Sequence, residues 1–194
     1  YAERFLKKDL RASYESYRKA LEINPGDARA LLETDQVAEL LKLPAAERFA
    51  LMNRHLDTVR QRDDLMARLV DLRLKAGDPE YLKLAQQDLR THHFHSWEGR
   101  YSIHESWVEA NQRLGDLAFA RGDHKAALEY YTLACEYPKN LEVAPRTPDF
   151  RAHVFWNLAK VNLAMGRKDA AGDYLKKILA EKYRRPHLGT LFQA

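Results

Sequence analysis

The stretch that decides the fold is GDHKAALEYYTLACEYPKN, residues 122–140. Apolar and small side chains recur in it every three or four positions, at Ala127, Leu128, Tyr131 and Ala134. This spacing places them on one face of an α-helix. Gly122 comes just before the helix, and glycine readily adopts the left-handed conformation in which helices often end. The stretch therefore predicts a turn followed by the second helix of a helix pair.

The residues before this stretch predict the first helix of the pair. They repeat the same spacing at Ile103, Trp107, Ala110, Leu114 and Leu117. In the second helix, small Ala127 and Ala134 allow two helices to approach closely, and Pro138 ends the helical pattern. Residues 103–138 are thus predicted to form a helix–turn–helix unit.

This unit resembles the tetratricopeptide repeat, a helix–turn–helix motif of about 34 residues. With Val108 as position 1, six residues match the motif at positions 7, 8, 15, 20, 24 and 27: Leu114, Gly115, Gly122, Ala127, Tyr131 and Ala134. Asn111 and Ala118 stand where the motif usually has aromatic residues. The match rests on small residues at fixed positions, which is more specific than apolar periodicity alone.

Other segments fit the same register. A repeat begins at Ala152, another at Asp63, and SYRKALEINPGD, residues 16–27, matches the end of a repeat. Between them, Ala28–Lys42 and Pro44–Val59 are predicted to form a helix pair with a poor match to the motif. The sequence therefore predicts an all-α fold, an α–α superhelix of about four to five tetratricopeptide-like helix pairs in a single domain. The predicted repeats lie near residues 1–27, 28–62, 63–95, 108–140 and 152–184.

The chain begins within a predicted repeat and without methionine, so we expect a piece of a longer protein. FHSWEG, residues 94–99, and YPKNL, residues 137–141, resemble the repeat region of large, mostly bacterial proteins. Those proteins have an uncharacterised β-rich domain ahead of their repeats, and sugar-related roles are suspected for them. The resemblance implies an interaction or scaffold region within a larger bacterial protein.

Composition limits the class of partner and the compartment. The net charge is +4, with both signs interspersed, which does not favour nucleic-acid binding. Without an apolar run of about 18 residues, no membrane span is predicted. Cys135 is the only cysteine, which excludes an internal disulfide and a four-cysteine zinc site. A single cysteine fits the cytoplasm as a default, but a cysteine-poor exported protein would look the same, so the localisation stays unknown.

The resemblance to tetratricopeptide repeats also implies where a partner binds, because positions 2, 5, 9, 12 and 13 of each first helix line the concave groove. We expect a partner-binding groove formed by Gln112, Asp116, Phe119, His153, Trp156 and Lys160. Trp156 would supply an apolar anchor and Lys160 a charge for a carboxylate. In the alternative interpretation, Trp156 packs on a neighbouring repeat or on the C-terminal tail. The leading function is a non-enzymatic scaffold that binds a peptide or a partner helix.

An insertion at the end of the third predicted repeat, residues 91–101, suggests a second candidate site, at His93, His95, Trp97 and Glu98. Histidine and carboxylate groups are zinc ligands, yet the H-E-x-x-H spacing is absent, so neither a metal nor another cofactor is predicted. Trp97 either packs between helices or stacks on a sugar. The sugar interpretation gives the alternative function, an accessory or substrate-presenting region of a carbohydrate-active bacterial protein. No catalytic residues stand out, so the chain is not predicted to be an enzyme. A role as a spacer or a homodimer also stays open.

Overall fold

The structure is a computed structural model that describes residues 9–95, 103–143 and 151–184, with side chains described as far as residue 180. Within these ranges it contains ten α-helices, one short 3-10 helix and no β-strand. The chain divides into two compact units. The first comprises residues 1–106 and 140–142, and the second comprises residues 107–139 and 143–194.

Among the described residues, six α-helices belong to the first unit. They are α1 (Leu10–Ile23), α2 (Ala28–Leu40), α3 (Ala45–Arg54), α4 (Leu56–Val59), α5 (Asp63–Ala76) and α6 (Pro79–Thr91). Helix α1 packs on α2, α5 packs on α6, and α3 packs on both α2 and α5. Most of these contacts therefore join helices that follow one another in the chain, and the contact of α3 with α5 passes over α4.

The second unit has the same pairwise organisation. Its helices are α7 (Ile103–Ala120, of which residues 103–106 are grouped with the first unit), α8 (His124–Leu133), α9 (Ala152–Ala164) and α10 (Lys168–Arg184). A short 3-10 helix, Lys139–Leu141, follows α8. Helix α9 packs on both α8 and α10. The predicted fold class, an all-α arrangement of tetratricopeptide-like helix pairs, is confirmed.

Aspartate side chains fix the starts of four helices. Asp9, Asp27, Asp78 and Asp123 each accept a hydrogen bond from a backbone N–H two or three residues later, at 2.8–3.0 Å. Such N-caps satisfy an N–H group that the helix leaves without a partner, and each contributes about 1 kcal/mol.

Three glycines mark the turns inside helix pairs. Gly77, Gly122 and Gly166 have φ angles of +73°, +78° and +75°. A residue with a Cβ atom adopts this left-handed conformation only at a cost in energy. The sequence predicted such a turn at Gly122, and the prediction is confirmed.

The predicted helix Pro44–Val59 is interrupted at His55. Its backbone has φ −112° and ψ 34°, outside the helical range, and separates α3 from α4. The His55 Nδ1 atom lies 3.1 Å from the Pro25 carbonyl oxygen, which also accepts from the Thr58 hydroxyl at 3.3 Å. A long-range contact thus accompanies the break, and the local apolar pattern could not show it.

The core of the second unit is built around small residues. Its buried members are Ala118, Ala127, Tyr131, Ala134, Val154, Leu158 and Val161. The Tyr131 ring lies directly over Gly115 on α7, where no side chain intervenes. Ala127 and Ala134 are the small residues at which the sequence predicted close helix packing.

A charged network, which was not predicted, holds α2, α3 and α5 together in the first unit. The fully buried Asp35 carboxylate accepts two hydrogen bonds from Arg48, at 2.8 and 3.0 Å, and a third from Arg68 Nε. Both guanidinium groups also reach Glu39, at 3.2 and 2.8 Å. Buried charges are tolerated when paired and hydrogen-bonded in this way.

Candidate partner-binding groove

Two helices of the second unit supply the predicted groove residues. Helix α7 provides half-buried Gln112, exposed Asp116 and half-buried Phe119. Helix α9 provides exposed His153, exposed Trp156 and half-buried Lys160. Gln112 and Asp116 lie one helical turn apart on α7, as do Trp156 and Lys160 on α9.

A cation–π contact joins the two helices. The Lys160 Nζ atom lies 5.7 Å from the centroid of the Phe119 ring. Such a contact is worth about 0.5–1 kcal/mol at an exposed site and keeps the ammonium group near the ring. Within the described part of the chain, no carboxylate forms an ion pair with Lys160. The charge is therefore held in place and left open to an acidic group.

The carboxylate of Asp116 is held by Tyr131. The Tyr131 hydroxyl donates to Asp116 Oδ1 at 2.7 Å. Burial, together with this bond and the negative charge of Asp116, raises the pKa of Tyr131 above its usual value. The hydroxyl accordingly stays protonated at neutral pH and orients the carboxylate. Asp116 thus has a fixed position at the surface, with one oxygen already engaged.

Helix α9 exposes two large apolar side chains in line. Trp156 and Leu163 are each 53% exposed, and Lys160 lies between them. Leu163 occupies groove position 12 of its repeat, so the motif indicates the same face for both residues. The result is an apolar–basic–apolar row along the surface of the helix.

His153 is the third predicted groove residue on α9, and the residue as a whole is exposed. Partial burial of its imidazole and the nearby Arg151 guanidinium together lower the pKa of His153. The side chain is therefore neutral at pH 7 and adds no charge to the groove, which leaves Lys160 as the cation among the six predicted residues.

The second candidate site is only partly described. Trp97 and Glu98 lie outside the described residues. His93 Nε2 lies 3.1 Å from Glu142 Oε1, and His95 Nδ1 lies 3.0 Å from Asp63 Oδ2. Over the described ranges, no three histidine, cysteine or acidic side chains are grouped so that they could hold a metal ion.

Asp63 orders the histidine segment. Its carboxylate lies 2.7 Å from His92 Nε2 and also accepts the His95 backbone N–H at 2.8 Å. Burial raises the pKa of Asp63, but the hydrogen bonds from His95 and His92 outweigh it, so the pKa falls below its usual value. An ionised Asp63 therefore fixes the segment as it leaves α6.

Asn140 holds the same segment from a distant part of the chain. Its side-chain N–H group donates to the carbonyls of Leu89 and His92, at 2.8 and 2.7 Å. The backbone carbonyl of Asn140 accepts a hydrogen bond from the backbone N–H of fully buried Phe94 at 2.8 Å. These contacts give the described part of this segment a packing role in the first unit.

Comparisons with known proteins find tetratricopeptide repeats in the chain and two solved structures with a similar fold. The family model described as tetratricopeptide repeat matches residues 108–140 and 152–182, so the second unit contains two such repeats. A structure described as the crystal structure of MamA aligns at 16% identity with a TM-score of 0.55, covering 95% of both chains. A second MamA structure aligns at 15% identity with a TM-score of 0.54, covering 99% of this chain and 91% of that chain. At these identities the likeness concerns the fold alone.

The fold and the repeats define the class of protein. Helical-repeat proteins of this kind present extended surfaces that bind other proteins, and the chain has the architecture of such a protein-interaction scaffold. In the parts of the chain that the structure describes, no helix is both long enough and apolar enough to cross a membrane.

Proposed function

We propose that the chain is a non-enzymatic scaffold that binds a protein partner through the α7–α9 groove of its second unit. The observation that supports this most directly is the exposure of Trp156, 53% of which faces solvent on a helix whose opposite side is packed. Tryptophan is enriched at the energetic centres of protein interfaces because it buries a large area when a partner covers it.

Two other predicted groove residues suit a partner that is partly charged. Lys160 offers an ammonium group that the Phe119 ring holds in place. Asp116 offers a carboxylate that Tyr131 orients. Groups that are already positioned lose less conformational entropy on binding than mobile ones, so the same contacts yield more affinity. Apolar anchoring with flanking charges is the arrangement expected of a peptide or helix site.

A pull-down with three versions of the chain tests the proposal. The baits are the wild type, a Trp156→Ala/Lys160→Ala variant, and a Leu179→Ala/Lys176→Ala control on α10. Leu179 is also 53% exposed, and Lys176 lies one turn before it. The control therefore removes an exposed apolar side chain and one lysine from another helix.

The expected result is a protein that the wild type and the α10 control retain and the groove variant loses. The purified protein should then bind the wild type in calorimetry and bind the groove variant at least about tenfold more weakly. Equal retention by all three baits would refute the assignment of the groove. The same titration with a second copy of the chain as the ligand tests the homodimer.

The wider context of the chain also stays a prediction. Its resemblance to large bacterial proteins with a β-rich domain rests on residues 94–99 and 137–141. If the resemblance holds, the scaffold presents its partner to other domains of a longer protein. Sequencing the gene around this segment tests it directly.

A further inference from the structure

We infer that the partner segment is an amphipathic α-helix with two large apolar side chains seven residues apart and an acidic side chain between them. This inference rests on the proposed function, because it names the occupant of the same groove. Its basis is the apolar–basic–apolar row of Trp156, Lys160 and Leu163 on α9.

The three side chains lie on one narrow strip of α9. Trp156 and Leu163 are seven residues apart, which corresponds to about 10.5 Å along the axis and an angular offset of about 20°. Lys160 lies four residues after Trp156, about 40° to the other side. The whole row therefore falls within about 60° of the helix surface, and its two apolar ends are equally exposed.

A helical partner matches this row along its length. An α-helix has the same rise per residue, so its side chains at i, i+3 or i+4, and i+7 meet Trp156, Lys160 and Leu163 one by one. If the partner runs parallel to α9, its acidic residue is at i+4. If it runs antiparallel, its first apolar residue meets Leu163 and its acidic residue is at i+3.

A partner in the β-strand conformation does not match. A strand rises about 3.3 Å per residue, so a separation of about 10.5 Å corresponds to roughly three residues. Side chains three residues apart in a strand point to opposite faces, and only one of them would reach α9. The spacing of Trp156 and Leu163 thus favours a helix over a β-strand.

The charge of the partner follows from Lys160. Its nearest described partner is the Phe119 ring, which stabilises the ammonium group without neutralising it. A glutamate or aspartate opposite Lys160 completes an ion pair between two apolar contacts that exclude water. An ion pair is stronger there than on an open surface, because desolvation lowers the local dielectric constant.

Two display libraries selected on the wild-type chain test the inference. One presents a single-helix scaffold with randomised positions on its exposed face, and the other presents extended, proline-containing 16-residue peptides. Each pool is counter-selected on a Trp156→Ala/Lys160→Gln/Leu163→Ala variant. The variant changes exposed or half-buried side chains only, and circular dichroism checks that it keeps its helix content.

The expected result is enrichment of helices with apolar residues at i and i+7 and an acidic residue at i+3 or i+4. Binding of a selected helix should weaken about tenfold or more with Trp156→Ala and about two- to fivefold with Lys160→Gln. Leu179→Ala, on α10, should leave it unchanged. Selection on a Lys160→Glu variant should replace the acidic residue by lysine or arginine at the same position.

Three outcomes overturn the inference, and they differ in what they leave standing. Groove-dependent clones from the extended library alone refute the helical partner but keep the proposed function. The apolar–basic–apolar row is refuted as the recognition element if the selected helices lack apolar residues at i and i+7. It is also refuted if selection on Lys160→Glu does not replace the acidic residue by a basic one. If neither library yields clones that the triple variant loses, both the inference and the proposed function fail.

Discussion

Replacing Gly115 by alanine should destabilise the second unit, although Gly115 lies inside helix α7. A Cβ atom at this position would lie 2.5 Å from Tyr131 Cε1 and 2.6 Å from Tyr131 Cδ1. Carbon atoms in favourable contact are about 3.5–4.0 Å apart, so the ring has to retreat by roughly 1 Å. Tyr131 is buried in the core and its hydroxyl is bonded to Asp116 at 2.7 Å, which limits any such movement.

The size of the effect follows from two opposing contributions. Overpacking a well-filled core costs about 1–3 kcal/mol, and a contact this short belongs at the upper end. Alanine is more favourable than glycine inside a helix by about 1 kcal/mol. We therefore expect Gly115→Ala to lower the free energy of unfolding by about 2 kcal/mol.

Gly172 provides the matched control. It lies inside helix α10, and a Cβ atom added there meets no heavy atom within 4 Å. Gly172→Ala should therefore raise the free energy of unfolding by about 1 kcal/mol, from helix propensity alone. The two substitutions are chemically identical and differ in the sign of their expected effect.

Urea unfolding followed by tryptophan emission measures both effects, since Trp107 and Trp156 belong to the second unit. In a Tyr131→Val background the side chain ends before the clashing ring atoms. There, Gly115→Ala should become stabilising by about 1 kcal/mol, as a double-mutant cycle would show. The reasoning from close packing is wrong if Gly115→Ala stabilises the wild-type chain. It is also wrong if the effects of Gly115→Ala and Tyr131→Val on the free energy of unfolding are additive.

Two further predictions concern charged groups of the first unit. Asp35→Asn should lower the free energy of unfolding, measured in urea, by about 3 kcal/mol, because it leaves the buried Arg48 and Arg68 guanidinium groups without their shared carboxylate. An effect below about 1 kcal/mol would refute this prediction. Since the pKa of Asp63 is lowered in the folded chain, its contribution to stability is present above about pH 4 and is lost as the pH falls through the folded pKa. Asp63→Asn should therefore reduce the loss of stability between pH 5 and pH 2, measured as the melting temperature at each pH. The same loss of stability in the variant and the wild type would contradict the prediction.

The fold of the second unit could be predicted because its signals are local. Gly115, Ala127 and Ala134 are small for a packing reason that acts within one helix pair, and their spacing is visible in the sequence. Gly122 and Gly166 end helices by backbone conformation, which also needs no knowledge of distant residues. Local consistency of this kind allows a repeat motif to be identified from one sequence.

The charged contacts of the first unit could not be predicted because their signals are not local. Asp35 and Arg68 are 33 residues apart, and Asp63 is 32 residues from His95. With 28 acidic and 32 basic residues in the chain, the number of possible pairs is too large for spacing to select one. The histidines were considered as a loop site, and only the three-dimensional structure shows that Asp63 and Glu142 engage them.

Trp107 and Trp156 both lie on first helices of helix pairs, yet one is buried in the core and the other is exposed. Trp107 is buried, and its indole N–H donates to the Leu133 carbonyl at 2.8 Å, so its apolar area and its polar group are both used by the fold. Trp156 has the same chemistry on another first helix, yet more than half of it remains in solvent. Burying a side chain of this size contributes a few kcal/mol, and the fold obtains little of that from Trp156. A partner helix that covers Trp156, pairs with Lys160 and reaches Leu163 would recover it, which is why the binding hypothesis is centred on this row.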